Sequence, residues 1–269
     1  MRNWTIKVLL FGNMTEPKSV VTAGFDEDVI ITFPFLGFLL QNGRENILVD
    51  TGISADSIVD GKVCGFPCEG GKSFVERELA REKITPEDIS IVIYTHLHLD
   101  HNGNCDLFPK AKHIVQKAEW KEFLDPLPAT KFGGVYDQRL IKTMENLNLI
   151  RIDGDLNLTE GIGLIKTPGH TLGSQTFAVM TTKGEYYITG DIFNFKHNAF
   201  PSMHEMMGMD GRIIKITPAP KGLGPAIPSS FIQDLYTWYD SVAKVQALVK
   251  NPESLITSHE PSIVGKVFP

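Results

Sequence analysis

Apolar side chains in the first third of the chain fall into short blocks separated by turn residues, a pattern of sheet. Residues 4–11 and 30–40 are rich in β-branched and aromatic side chains and predict two strands. The run Ile47-Leu48-Val49-Asp50 predicts a short buried strand that stops at Thr51-Gly52. The period then changes. Ser73 and Glu76 match a capping box, and Phe74, Val75, Leu79 and Ala80 continue one helical face. Thr85-Pro86-Glu87-Asp88 predicts a short capped turn, because proline suits the first helical position and acids suit its positive end. Residues 89–94 form a continuous apolar strand that runs directly into Thr95-His96.

The second half repeats this logic. Residues 162–166, 176–180 and 186–189 predict strands, with Lys183-Gly184 as a hairpin turn. Residues 230–249 form the best helix in the chain, with Ser230 and Gln233 as a capping pair. Leu235, Trp238, Val242, Val245 and Leu248 keep helical spacing there, and Asn251-Pro252 ends the run. Residues 255–258 predict one more strand, ending at His259. Sheet, helix, sheet, helix in that order implies a layered α/β fold in which two central sheets are covered by helices on the outside.

At 269 residues, 42% hydrophobic and 22% charged, the chain can bury a sizeable core as one large domain or two joined halves. A net charge of −6 provides no broad basic surface, so nucleic acid is not an expected partner. Cys64, Cys68 and Cys105 make no even framework and no zinc knuckle, and read as reduced thiols. Residues 1–11 are interrupted by Lys7 and lack a small-residue cleavage site, which suits a first strand better than a signal peptide. No stretch has the length of a membrane span. A cytoplasmic protein without membrane contact is the expectation.

The chemistry concentrates in Thr95-His96-Leu97-His98-Leu99-Asp100-His101. In extended chain, residues two apart point to one side, so His96, His98 and Asp100 can converge while Leu97 and Leu99 anchor the loop. His101 adds a fourth donor as Asn102-Gly103 turns the backbone. A lone histidine is usually a surface or hydrogen-bonded residue. Three of the chain's eight histidines within six positions, interleaved with aspartate after a buried strand, point instead to a metal. Imidazole and carboxylate donors suit zinc, and also iron or manganese.

This His-x-His-x-Asp-His string after an apolar strand resembles the signature of the metallo-β-lactamase superfamily. Asp50-Thr51-Gly52 resembles the family's early Asp-Thr-Gly loop, Thr167-Pro168-Gly169-His170-Thr171-Leu172-Gly173 its Pro-Gly-His loop and Thr189-Gly190-Asp191 its bridging aspartate. His259 matches the last ligand, so the resemblance runs from about residue 30 to 259. It implies an αββα four-layer sandwich built as a single domain over residues 1–269. It further implies two divalent metal ions, zinc first, with iron or manganese as alternatives. His96, His98 and His170 would hold one ion and Asp100, His101 and His259 the other, with Asp191 between them. Asp50 would orient a ligand, or merely cap its own turn, and His113 receives no role. A bridging water would become the nucleophile, one metal would polarise the substrate carbonyl, and Asp100 would carry the proton to the leaving group. The substrate is then a small molecule with a carboxylic ester or lactone bond, since the chain is most similar to the N-acyl homoserine lactonase group. A homodimer is compatible with this reading.

Two departures from that group stand out. Asn194 occupies the place of a tyrosine three residues after the bridging aspartate. The interval before His259 is long and holds Phe193, Phe195, His197, Phe200, Met203, His204, Met206, Met207 and Met209. Residues 193–229 thus read either as a substrate-cover insertion or as an extra loop packed on the core. Residues 120–136, with Pro126, Pro128 and Gly133-Gly134, suggest a second loop over the site. Rival readings are a thioesterase of glyoxalase II type, which carries a further helical region, and an iron-dependent persulfide dioxygenase. A processing nuclease would need a basic surface or a clamping domain, and a flavodiiron oxidoreductase a flavin domain. Seven intact candidate ligands argue against a silent binding protein.

Overall fold

Strand alternation decides where the core lies in the computed structural model, which describes residues 3–128 and 135–269. In β1 (Thr5–Pro17), Ile6 and Val8 point to one face and Leu9 and Phe11 to the other; in β2 (Ile30–Gln41), Leu36, Phe38 and Leu40 oppose Leu39. Both faces are apolar, as a sheet buried on both sides requires. β1 and β2 pair antiparallel from Thr5↔Gln41 to Pro17↔Ile30, with a register shift between Leu10 and Gly12. β3 (Asn46–Val49) joins β2, and β6 (Ile91–Ile93), β7 (Lys112–Gln116) and β8 (Asn148–Ile152) follow in parallel. On its other side β1 meets β5 (Phe66–Glu69), itself paired with β4 (Lys62–Val63), and β16 (Val267–Phe268).

The second sheet runs in the order β15 (Leu255–Ile256), β12 (Gly184–Ile188), β11 (Gln175–Thr181), β10 (Ile162–Lys166) and β9 (Leu156–Thr159). Side chains of the two sheets meet in the middle, where Ile6, Val8, Phe38, Val49 and Ile93 pack against Ile162, Leu164, Phe177, Val179 and Ile188. Helices close the outer faces. Val75 and Leu79 of α1 (Lys72–Arg81), Trp120 and Phe123 of α3 (Lys117–Leu124) and Met144 of α4 (Ile141–Glu145) cover the first sheet. α2 (Leu99–Asn102) is a single turn at that sheet's edge, and α5 (Lys196–Ala199) a single turn after β12. Trp238, Val242 and Val245 of α6 (Leu235–Leu248) cover the second sheet. The result is the four-layer αββα sandwich. Among the described residues no helix is long and apolar enough to cross a membrane.

Several boundaries differ from the sequence reading, for local physical reasons. α1 begins at Lys72 behind Gly71, whose φ of 100° starts the turn without a side chain, so the Ser73–Glu76 capping box does not form. α6 begins five residues later than expected. The backbone N–H groups of Gln233 and Asp234 donate to Gly169 O at 3.0 Å each, which holds this stretch against a loop of the second half. The Asp234 side chain then caps the helix by accepting from Thr237 N at 3.0 Å, while the Ser230 hydroxyl donates to Ser19 O. The Thr85 turn does form: the Asp88 carboxylate accepts from Thr85 N at 2.8 Å and from its hydroxyl at 2.9 Å. The strands at 89–94 and 255–258 shorten to Ile91–Ile93 and Leu255–Ile256.

The close approach of β1 and β2 gives a stability test. A Cβ on Gly37 would lie 1.9 Å from the ring of buried Phe11, so Gly37→Ala must displace that ring. We expect a loss of about 1–3 kcal/mol in chemical denaturation, the usual range for overpacking a dense core. An unchanged midpoint would show that the ring is not confined.

Candidate metal centre

Parallel pairing of β3 and β6 brings two chain segments out of the same sheet edge side by side. Asp50 follows one, with φ of 60°, and Thr95 to His101 follow the other. The motif is not extended throughout, which corrects the alternation expected for it. His96 and Leu97 are irregular, His98 caps α2, and Asp100 and His101 project from its first turn. Asp100 therefore reaches the site by a helical step and not by strand alternation with His96 and His98. Leu97 is buried as an anchor.

All seven candidate residues meet. Ligand atoms of His96, His98 and His170 lie within 4.8 Å of one another, as do those of His96, His101 and Asp191, and those of Asp100, His101 and His259. Asp191 faces both sides. Its Oδ2 lies 3.9 Å from His96 Nε2 and 3.5 Å from His170 Nε2. Its Oδ1 lies 3.4 Å from His101 Nε2 and 3.2 Å from His259 Nε2. Asp100 Oδ2 sits 3.4 Å from His101 Nε2 and 3.7 Å from His259 Nε2.

Burial controls the charge states. It pushes the His96 and His98 pKa values well down, helped by the neighbouring imidazoles, and His170 down to about 4, so these rings are neutral and keep a lone pair. Burial also opposes the charge on Asp191, but His259 and His101 outweigh it and hold the carboxyl well below its usual range. His101 is likewise opposed by burial, and Asp100, Asp191 and Asp50 outweigh it and raise its pKa. Outer contacts fix the rings. Asp50 Oδ2 accepts from His101 Nδ1 at 2.9 Å and from the Thr95 hydroxyl at 2.8 Å, and Asp50 Oδ1 accepts from Thr95 N at 2.8 Å. His259 Nδ1 donates to Pro34 O at 2.9 Å, which leaves Nε2 for the centre.

Sequence reasoning missed Glu119. Its buried carboxylate accepts from Leu97 N at 2.8 Å and Thr171 Oγ1 at 2.5 Å, and also from Gly173 N and Tyr136 OH, both at 3.2 Å. It thus ties the histidine string of one half to the His170 loop of the other. A signal existed: an acid on α3 flanked by apolar Trp120 and Phe123, on the face that packs inward. The Tyr136 ring stands edge-on to His98 at 4.8 Å between centroids. Asn194, in the tyrosine place, donates from Nδ2 to Asp191 Oδ2 at 3.0 Å. His113 is a satisfied core histidine, bonded to Tyr94 OH and Phe108 O.

A cavity of about 200 Å³ opens onto the centre, with Met14, Glu16, Phe33, Phe35, Phe66 and Phe231 on its walls. Of residues 193–229, Asn194 and Ser229 reach it, whereas Met206 packs into a cluster with Phe33, Phe35 and Phe195. Val135 lines it from the second suspected loop, whose Gly133-Gly134 lies outside the described residues. Burial pushes the Glu16 carboxyl up to about 7, an effect His259 partly offsets and Asp100 reinforces.

The donor set fits divalent metal. Among the described residues, the buried Nε2 atom of His96 has no hydrogen-bond partner, and the ring nitrogens His98 Nδ1 and His170 Nε2 converge to 3.1 Å. Neutral imidazoles with bare lone pairs beside ionised carboxylates are the ligands such ions take.

Comparison with known proteins agrees with this geometry. The family model described as the Metallo-beta-lactamase superfamily matches residues 37–233, well over half of the chain. An N-acyl homoserine lactonase of a Bacillus species is 30% identical over 223 residues, covering 78% of this chain and 84% of the relative. The B. thuringiensis protein AiiA, solved as a variant with N-decanoyl-L-homoserine at its active site, superposes with a TM-score of 0.74 at 22% identity, covering 96% of this chain and 94% of that one. An N-acyl homoserine lactone hydrolase, solved with N-hexanoyl-L-homoserine at its catalytic metal centre, has the same score, identity and coverage.

The Asp50 contacts generate a test that does not depend on turnover. Asp50→Asn keeps the side-chain shape and tolerates the left-handed backbone but removes the charge that holds His101. Metal affinity measured by competition with a chelator should fall about 10–100-fold, the usual effect of losing an outer partner of a ligand histidine. Unchanged affinity would leave Asp50 as a turn cap only.

Proposed function

The chain belongs to the metallo-beta-lactamase superfamily, and we propose that it is a metal-dependent hydrolase of a carboxylic ester or lactone, of N-acyl homoserine lactonase type. The observation that carries this reading is Asp191, whose Oδ2 faces His96 and His170 and whose Oδ1 faces His101, with His259 Nε2 near both oxygens at 3.3 and 3.2 Å. His96, His98 and His170 would hold one ion, Asp100, His101 and His259 a second, and Asp191 would serve both. Zinc is the ion we assign, on the nitrogen-rich donor set. Ions held there supply an activated water as nucleophile and polarisation of the scissile carbonyl.

The remaining work falls to the chain's own residues. Asp100 is the most exposed of the seven, its side chain 18% accessible and lining the cavity. Its carboxylate lies there 3.4 Å from His101 and 3.7 Å from His259, a place from which it can take the proton and hand it to the leaving alkoxide. Asn194 is engaged with Asp191 and orients that carboxylate. The apolar walls suit an acyl chain. We take residues 1–269 as one domain and 193–229 as an insertion whose two ends, at Asn194 and Ser229, flank the substrate. The lactonase relative supports a lactone as the bond cleaved.

Metal analysis of the purified protein, followed by rates on acyl lactones, aryl esters and thioesters, tests the assignment. We expect zinc and the fastest turnover on N-acyl homoserine lactones. Equal inactivity on all three, with bound iron and oxygen uptake, would move the protein to the persulfide dioxygenase reading. Asp100→Asn should lower kcat by about 10²–10⁴-fold, the usual contribution of a positioned proton carrier. An Asn variant with normal metal content and a normal rate would remove Asp100 from that role.

A further inference from the structure

Beyond Gly12, β1 and β2 continue as a paired arm beside the metal centre, with β5 still paired to β1 at Asn13 and Met14. Register fixes which side chains share its faces. Met14 stands opposite Phe33 and Glu16 opposite Ile31, while Asn13 pairs with Pro34 and Thr15 with Thr32. The Thr15 and Thr32 hydroxyls bond to each other at 2.8 Å on one face, and Met14, Glu16, Phe33 and Phe35 line the cavity from the other. The rings of Phe33 and Phe35 meet His259 edge-on, with centroids 5.4 and 6.0 Å apart. Glu16 thus occupies a position where the arm's pattern calls for an apolar residue.

The residue is 3% exposed, and its carboxyl has no hydrogen-bond or ion-pair partner among the described residues. Burying an unpartnered carboxyl is costly, and nothing in the β1–β2 pairing needs one. Apart from the metal-centre residues, Glu16 is the charged group on this cavity wall. Ionised or protonated, it keeps an oxygen lone pair for an incoming N–H.

We propose that Glu16 is a specificity-determining residue that accepts a hydrogen bond from the amide N–H of an acyl-amide lactone seated on the metal centre. The inference rests on the lactonase reading above and deepens it. The enzyme then prefers a lactone ring bearing an N-linked acyl chain to a ring bearing a carbon-linked chain of equal length. Phe33, Phe35 and Met14 hold the chain in either case, so the discrimination comes from the polar contact that Glu16 makes.

The test compares kcat/KM for an N-acyl homoserine lactone and a γ-alkyl-γ-butyrolactone of matched length in the wild type, Glu16→Leu and Glu16→Gln. Glu16→Leu should shrink the amide preference by about tenfold or more, chiefly through KM for the amide substrate, because a site built around a hydrogen bond discriminates by that bond. Glu16→Gln retains a carbonyl oxygen and should keep most of the preference. Thermal midpoints provide a second readout: Glu16→Leu deletes a buried, unpartnered carboxyl and should melt no lower than wild type. A preference ratio unmoved in Glu16→Leu, or equal losses on both lactones in both variants, overturns the assignment while leaving the lactonase reading intact. Wild-type protein inert on both lactones overturns the lactonase reading and the Glu16 assignment with it.

Discussion

The neutral, buried imidazoles of His96, His98 and His170 beside ionised Asp191 are the constraint around which the molecule is arranged. An unsatisfied buried polar atom costs roughly 1–3 kcal/mol. The His96 Nε2 atom has no hydrogen-bond partner and cannot find one by turning outward, because its other nitrogen is engaged by the Thr95 hydroxyl. The frame brings His98 Nδ1 within 3.1 Å of His170 Nε2 and sets His96 Nε2 and His170 Nε2 beside Asp191 Oδ2, a set of donors that an ion can satisfy together.

Holding them requires that two halves of the chain meet with little freedom. His96, His98, Asp100 and His101 come from the edge of the first sheet, and His170, Asp191 and His259 from loops of the second. Two buried carboxylates make the connections. Asp50 fixes the first half internally, through Thr95 and His101. Glu119 crosses between halves, binding Leu97 on one side and Thr171 and Gly173 on the other. The His170 loop is further pinned from outside. Gly169 has φ of 134°, and a Cβ there would lie 2.3 Å from the Trp238 backbone, so α6 can approach only because the residue is glycine. The delayed start of α6 follows from the same contact, since Gly169 O takes the N–H groups that would otherwise begin the helix.

This division explains what could be read in the sequence. The histidine string is a local pattern, and the αββα layers follow from apolar blocks whose period is local too. His170, Asp191 and His259 were legible through family resemblance, because each stands in a loop of characteristic composition. Glu119, Tyr136 and Glu16 were not, since each sits in an ordinary helix, loop or strand and acquires meaning only from partners far along the chain. The helix starts failed for a related reason. Ser73 and Ser230 have the right chemistry for caps, but a positive-φ glycine in one case and a long-range carbonyl in the other decide where the helix begins. Asp100 joins the cluster from a helical turn where alternation had been expected.

Asn194 shows how the chemistry of one position depends on another. A tyrosine there could have extended a hydroxyl toward substrate. The amide instead donates to Asp191, and its own backbone carbonyl accepts from His259 N at 2.9 Å, so position 194 borders the cavity but is tied to the centre. The Met-rich middle of residues 193–229 does not make up the difference, because Met206 packs behind the arm, against Phe33 and Phe195. Met14, Phe33 and Phe35 reach the cavity from β1 and β2, whose pairing continues to Pro17↔Ile30, while Val20, Val63, Phe66 and Phe231 add to its apolar walls. Strand pairing is a stiffer support than a loop, since each side chain is placed by register. A centre bordered by such walls would select its substrate in part by what the arm presents, since the candidate ligand residues, whose positions an ion would dictate, have little freedom to do so.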